Sequence, residues 1–450
     1  MTTFKVGFAA LTVLLLLSMT LISAQQVKFA GASTACISYL AGVNTITITC
    51  DASFLDVVQA INDPGILQQE QDGQYILNAN LAVNDGVTFE MTSSDGDNLQ
   101  YLKLAGANGI IVYGKILING VKITSWDILD NDLIQQDMNG TIPRGYIQFA
   151  ASEGAEIINS EFGYLGDVEP GRRGFDLFGG GGPSHDMLIR GSKFHDMWMA
   201  FYSNGAYNIT VDGSEYYNNI KYALDPHTGT HNMNITNNWL HHNLIGAICS
   251  DDCYDVLIEG NLAEHNSNAG IFLSRNMTDS IARNNDVYNS STGILVSESS
   301  NNQIYNNTIE GATEEGILLF TPDIPDDGVT EGNVVYDNVI SDSESGIRST
   351  KSQDNIVENS TFSDIESSEY LLSGNSRMII RGQDFDDTSI SEEGSATENI
   401  VEIVDSGIIE VREEDGDDDD DDDDEENSYD TEDEPFRTIL SDGDSITVNS

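Results

Sequence analysis

The sequence predicts an all-β protein built as a parallel β-helix, and three observations carry that prediction. A small polar residue recurs at Ser160, Ser192, Ser214, Asn238, Asn261, Asn285, Asn307, Asn338 and Ser360, with successive gaps of 32, 22, 24, 23, 24, 22, 31 and 22 residues. Eight or nine residues after five of these stands a glycine followed by an apolar residue, at Gly246, Gly270, Gly293, Gly316 and Gly346. No repeat carries an amphipathic run of helical length, which disfavours leucine-rich and helical solenoids. A period of 22 to 24 residues made of short β-prone segments fits coils that stack on one another. One coil cannot bury its apolar face alone, whereas stacked coils share a core. Asparagine at the same place in each turn is expected to form a ladder of side-chain hydrogen bonds, with Asn238, Asn261, Asn285 and Asn307 in register.

The elements follow in chain order. Residues 1–24 begin with "MTTFK", continue through an uncharged apolar run from Val6 to Ser23, and end in "ISA". They read as a secretory signal peptide, or as an N-terminal anchor where cleavage does not occur. Either reading puts the rest of the chain outside the cytoplasm, secreted or at the cell surface, with membrane contact only through a retained segment. Residues 25–110 are less periodic and are expected to supply an N-terminal cap and the first coils, since an open sheet end invites pairing with other chains. Residues 111–375 hold the repeats. The two long gaps mark insertions, Gly171–Asp186 and Thr321–Gly332, and such loops commonly build the binding face of a solenoid. The run Gly179–Gly182 lacks the following Lys and Ser or Thr of a phosphate loop and reads as a lid or spacer. Residues 376–450 form a C-terminal segment. It ends in a tail expected to be disordered from about Ser391, because eight consecutive aspartates, Asp417–Asp424, repel one another.

The balance of 75 acidic against 19 basic residues gives a net charge of −56, which excludes nucleic acid as a partner. It points instead to a surface suited to salt, or to loose association with divalent cations such as Ca2+. Four cysteines in an exported chain suggest two disulfides. Three connectivities are possible, and sequence order favours Cys36–Cys50 with Cys249–Cys253. The "CSDDC" run at Cys249–Cys253 has no second cysteine pair or neighbouring histidine to complete a metal site, so no metal is expected. Asn-x-Ser/Thr sequons at Asn139, Asn208, Asn234, Asn276, Asn289, Asn306 and Asn359 mostly coincide with repeat turns, and the repeat itself accounts for them.

Seven histidines occur in the chain, and one lies in "KYALDPHTGTH", Lys221–His231. Matching the coils on their glycines sets Tyr222 against Gly246 and Gly270, and the same count then aligns His227, Asp251, Arg275 and Glu298. Coils about 4.8 Å apart would set a base, an acid and a cation on one edge of the rod. Asp251 one coil away would favour the protonated imidazole. The plain alternative is a solvated ladder of ion pairs.

The stretch Ser192–His231 resembles the periplasmic mannuronan C5-epimerases of alginate biosynthesis. The likeness rests on Ser-x-Phe, "DMW" at Asp196–Trp198, "FY" at Phe201–Tyr202 and "YALDPH" at Tyr222–His227. It extends with the coil spacing over residues 151–346. It implies a right-handed, single-stranded, pectate-lyase-like β-helix and a cofactor-independent enzyme that inverts C5 of mannuronate within the polymer, with His227 as the base. Two departures stand out. Thr228 replaces an acidic residue after Asp-Pro-His, and Asp251 occupies the place of an arginine expected to neutralise the substrate carboxylate. Removing a proton α to a carboxylate creates an enolate that needs a cation or strong donors, and a neutral imidazole suits the abstraction. The site expected from this reading comprises His227 as base, Asp225 orienting it and Tyr222 returning the proton. Arg275 and Lys221 would contact the carboxylate, with His231 and Asp251 beside the polyuronate. A polyuronate lyase uses the same intermediate, and a non-catalytic glycan-binding or cell-surface rod is the competing class.

Overall fold

The structure is a computed structural model that describes residues 36–94, 96–325, 328–374, 376–381, 388–393, 399–403, 407–414, 436–440 and 445–448. The apolar N-terminal run and the aspartate run lie outside the described residues. The chain winds into a right-handed parallel β-solenoid of about 13 turns. Turns along the middle of the rod contribute one strand to each of three sheets, which hold 17, 15 and 13 strands among the described residues. Through the middle of the rod, for example, Tyr222–His227 lies in the first sheet, His231–Thr236 in the second and Trp239–His241 in the third.

Alternation along each strand decides which side chains enter the rod. In the first sheet Leu224, Ala247, Ile271, Ile294, Ile317 and Ile347 stack in register as one interior column, all fully buried. In the third, Phe162, Phe194 and Tyr216 form a ring stack with centroids 5.1 and 4.6 Å apart. The repeated glycine is a packing requirement rather than a turn. A Cβ on Gly270 would lie 2.4 Å from Val287 Cγ1, against the facing sheet.

The corners turn the backbone inward and strand its amides away from water, and side-chain ladders satisfy them. At the corner from second to third sheet, the Oδ1 atoms of Asn238, Asn261, Asn285 and Asn307 accept from the N–H groups of Ser214, Asn238, Asn261 and Asn285, each at 3.0 Å. Serines 160, 192 and 214 extend the ladder upstream, and Asn338 extends it downstream. This is the expected register. The other two corners carry ladders of their own: Asn219, Asn243 and Asn266 before the first sheet, and Ser280, Asn302, Asn333 and Asn355 after it.

Both ends depart from parallel pairing. At the start, Ile37–Leu40 and Thr45–Ile48 form an antiparallel hairpin tied by the Cys36–Cys50 disulfide. A helix, Phe54–Ile61, follows with a Ser53/Asp56 capping box and buries Phe54 and Val57. The C-terminal segment differs from the expectation of a mobile tail from residue 391. Ser389–Glu393, Asn399–Ile403 and Gly407–Glu414 continue the parallel stack. Phe436–Leu440 and Ser445–Val448 then pair antiparallel on its last strands.

Asn285→Ala removes the partners of Asn261 N–H and Ile258 C=O, both buried. It should lower unfolding stability by about 3 kcal/mol, read as a shift in denaturant midpoint. Asn234→Thr, on an exposed strand position, should change it by no more than about 0.5 kcal/mol.

Candidate active site on the first-to-second sheet corner

Tyr222–His227 pairs with Met199–Asn204 upstream, setting Asn204 against His227 and Tyr202 against Asp225. Downstream, Tyr222 pairs with Ile245 and Leu224 with Ala247, while His227 bridges to Ser250. The register expected from the glycines was therefore one residue out. Ala223, not Tyr222, occupies the place of Gly246, because that position tolerates only a small residue. The column that holds Asp251 and Arg275 begins at Thr228, the residue after the base. Thr228, Asp251, Arg275 and Glu298 all lie just past a first-sheet strand with positive φ, between 47° and 58°.

The slip still leaves Asp251 against the histidine. His227 Nε2 lies 3.3 Å from Asp251 Oδ2, and Asp251 Oδ1 lies 3.5 Å from Arg275 Nη1. His227 Nδ1 makes a 2.6 Å hydrogen bond with Thr228 Oγ1. A carboxylate only accepts, so the neutral ring carries its proton on Nε2 and presents the Nδ1 lone pair to the threonine hydroxyl. Burial pulls the imidazole pKa below its ordinary value; Asp251 opposes this, and Arg173 and Arg275 add to it. The expectation that Asp251 would favour the protonated form is thus outweighed by desolvation, and the ring is neutral at neutral pH.

Asp225 does not orient the imidazole, whose two nitrogens are taken by Thr228 and Asp251. It is 2% exposed, its Oδ1 has no hydrogen-bond partner, and burial drives its pKa well up. Tyr222 packs on the outer apolar cluster of Ile245, Ile248 and Ala269. Burial raises its pKa, so the phenol keeps its proton. Lys221 Nζ lies 5.4 Å from the Trp198 ring at the preceding corner. His231 is across the corner in the second sheet, stacked between Tyr207 and Tyr254 at 5.5 and 4.6 Å, with Nδ1 3.0 Å from Gly229 O. Its partners mark it as part of a ring ladder. Cys249 and Cys253 are unpaired, fully buried thiols, not the expected disulfide. Cys249 points into the core, and Cys253 Sγ donates to Ser250 O at 3.2 Å, which turns that thiol toward its own backbone.

Sequence reading missed Arg173 and its neighbours. The first insertion, read as a loop of the kind that builds a binding face but with no residue singled out, delivers Arg173 onto the ring of Tyr202, with Cζ 4.0 Å from the centroid. The Tyr202 ring lies 5.4 Å from that of His227. Asp176, in register with Tyr202, holds Arg173 Nη1 at 3.4 Å. The pairing of a long gap with two arginines was the available signal. The glycine run and the second insertion leave the rod at this same corner, two coils before and four coils after His227.

The molecule is thus a parallel β-helix with an imidazole and two guanidinium groups gathered at one corner. The family described as "right handed beta helix region" matches residues 108–287, 226–385 and 283–413. The chain belongs to this right-handed β-helix family. It is similar to the mannuronan C5-epimerase of Pseudomonas putida KT2440, 26% identical over 237 residues, covering 49% of this chain and 45% of that one. The mannuronan C5-epimerase of Pseudomonas syringae pv. tomato is 26% identical over 259 residues, covering 54% and 47%. The chain thus spans about half the length of the curated relatives it matches. The crystal structure of the periplasmic alginate epimerase AlgG shares the fold with a TM-score of 0.59 at 20% identity, covering 82% of this chain and 85% of that one.

Asp251→Asn should lower the His227 pKa further, since the carboxylate favours the cation, while Arg275→Gln should raise it. Both shifts are readable from imidazole resonances in an NMR pH titration, and a rise in Asp251→Asn would contradict the ion pair.

Proposed function

We propose that the protein is a polyuronate C5-epimerase acting within polymannuronate outside the cytoplasm. The observation that carries the reading is the gathering of two arginines, Arg173 and Arg275, around a neutral His227 in a chain of net charge −56. Acidic residues outnumber bases fourfold, yet Arg173 and Arg275 both bear on this one imidazole. A scaffold has no need of such a patch, whereas an acidic substrate does. The similarity to two mannuronan C5-epimerases and the apolar N-terminal segment support the substrate and the compartment.

His227 Nδ1 takes the proton from C5, and the C–H electron pair moves into the carboxylate as an enolate. Asp251, on Nε2–H, stabilises the imidazolium that forms, as the acid of a Ser-His-Asp triad does. Arg275 offsets the charge of Asp251 and reaches toward the polymer. Tyr222 or water returns a proton to the opposite face, and the imidazolium and any tyrosinate re-equilibrate with solvent. Thr228 must turn its hydroxyl away from Nδ1 as substrate binds. These steps need side chains alone. Divalent cations or salt would act on the repulsion between two polyanions, since screening shortens to about 3 Å at 1 M.

Incubation with polymannuronate in deuterated water should place deuterium at C5 and convert mannuronate to guluronate. His227→Ala should reduce incorporation by about a thousandfold. Unsaturated chain ends in place of guluronate would assign a lyase, and bound polymer without exchange at any salt or Ca2+ concentration would assign a glycan-binding rod.

A further inference from the structure

The epimerase reading leaves one group to be found, the cation that meets the carboxylate of the reacting sugar. We propose that this group is Arg173, mounted on Tyr202 and positioned by Asp176, and that Arg275 serves the flanking polymer. The assignment rests on the epimerase reading and goes beyond it by naming a residue from a part of the chain that carries none of the histidine motif.

The geometry separates the two arginines. Arg275 is 47% exposed and is tied to Asp251, itself the partner of His227. Its charge is therefore screened by water. Arg173 is only 17% exposed. Its guanidinium carbon lies 4.0 Å from the centroid of the Tyr202 ring, and that centroid lies 5.4 Å from the centroid of His227, so base and cation both neighbour one aromatic ring. Its backbone is docked as firmly as its side chain. Met199 N–H donates to Arg173 O at 3.0 Å, and Arg173 N–H donates to Asp176 Oδ2 at 3.1 Å. Gly166 crosses directly over this carbonyl with φ of 83°, where a Cβ would lie 2.2 Å from Arg173 O. A fixed, partly desolvated cation stabilises a developing enolate far more than a mobile, hydrated one, because no reorganisation is needed as charge appears.

Asp176 adds the second half of the device. It is fully buried, its Oδ1 has no hydrogen-bond partner, and burial raises its pKa to about 6 despite Arg173. With a pKa of about 6 the carboxyl is mostly ionised at neutral pH, and from its buried position it holds the guanidinium in place. Asp176 is thus a positioning residue, and Arg173 the residue that touches substrate.

The test compares full-length wild type, Arg173→Gln, Arg173→Lys, Arg275→Gln and Asp176→Asn for C5 deuterium incorporation into polymannuronate. Thermal midpoints would verify that each variant is folded. Arg173→Gln should lose about a hundredfold in kcat with KM changed no more than about threefold, and Arg173→Lys should recover part of the loss. Arg275→Gln should act mainly on KM. Asp176→Asn should keep the fold and lose about tenfold in kcat. Without any substrate, Arg173→Gln should also raise the His227 pKa in an NMR titration, where Asp251, Arg275 and Tyr202 are the other charged or titratable groups facing the ring. An active wild type with unchanged kcat in folded Arg173→Gln overturns the assignment and leaves the epimerase reading standing. A wild type that binds polymer without exchange overturns both, even where the His227 titration shifts as expected.

Discussion

Everything in this protein depends on the satisfaction of backbone amides that the corners bury. A chain turning through three sheets every 22 to 24 residues points N–H groups into a dry interior at each bend, and an unpaired one costs about 1–3 kcal/mol. Carboxamide and hydroxyl side chains in register resolve this one coil at a time. Each rung bonds the next, so the ladders also fix the register in which every outward-facing side chain is displayed. The meeting of His227, Asp251 and Arg275 across three coils follows from that register.

Much of the rod was legible because its constraint is written in small residues. Ser160, Ser192 and Ser214 followed by Asn238, Asn261, Asn285, Asn307 and Asn338 mark one corner directly, since only a short hydrogen-bonding side chain fits there. The ladders at the other two corners were obscured, because Asn219 and Asn243 sit among many other asparagines with no fixed partner in sequence. The site was legible in part. His227 and Asp251 were placed together, but through a register one residue out, because glycine was taken as the marker where the physical requirement is smallness and Ala223 meets it. Arg173 was hidden because an insertion breaks the period that located everything else. Cys249 and Cys253 illustrate the limit of pairing by proximity: a strand end directs the first inward, and a backbone carbonyl takes the second.

The two departures from the epimerase pattern that the sequence resembles make sense together under the proposed function. An acid at Asp251 in place of a cation would be harmful if the imidazole were solvated, because it would hold the ring protonated. Burial of His227 beside Tyr202 reverses that, and in the proposed mechanism the same acid supports the imidazolium only once it has formed. A positive charge, Arg173, stands upstream instead, on an insertion that a periodic count treats as an interruption.

The antiparallel closures at both ends of the rod have a consequence for how its order is distributed. Contacts in a solenoid reach only to the neighbouring coil, so fluctuation enters from the termini and its penetration falls with each turn crossed. The disulfide-tied hairpin and helix at one end and the folded-back strands at the other stand where unzipping would begin. His227 lies near the middle of the stack, about as far from either entrance as the architecture allows. The rod therefore acts as a buffer in space, allowing its ends to breathe while the three coils that face one another across the site keep ångström-scale alignment.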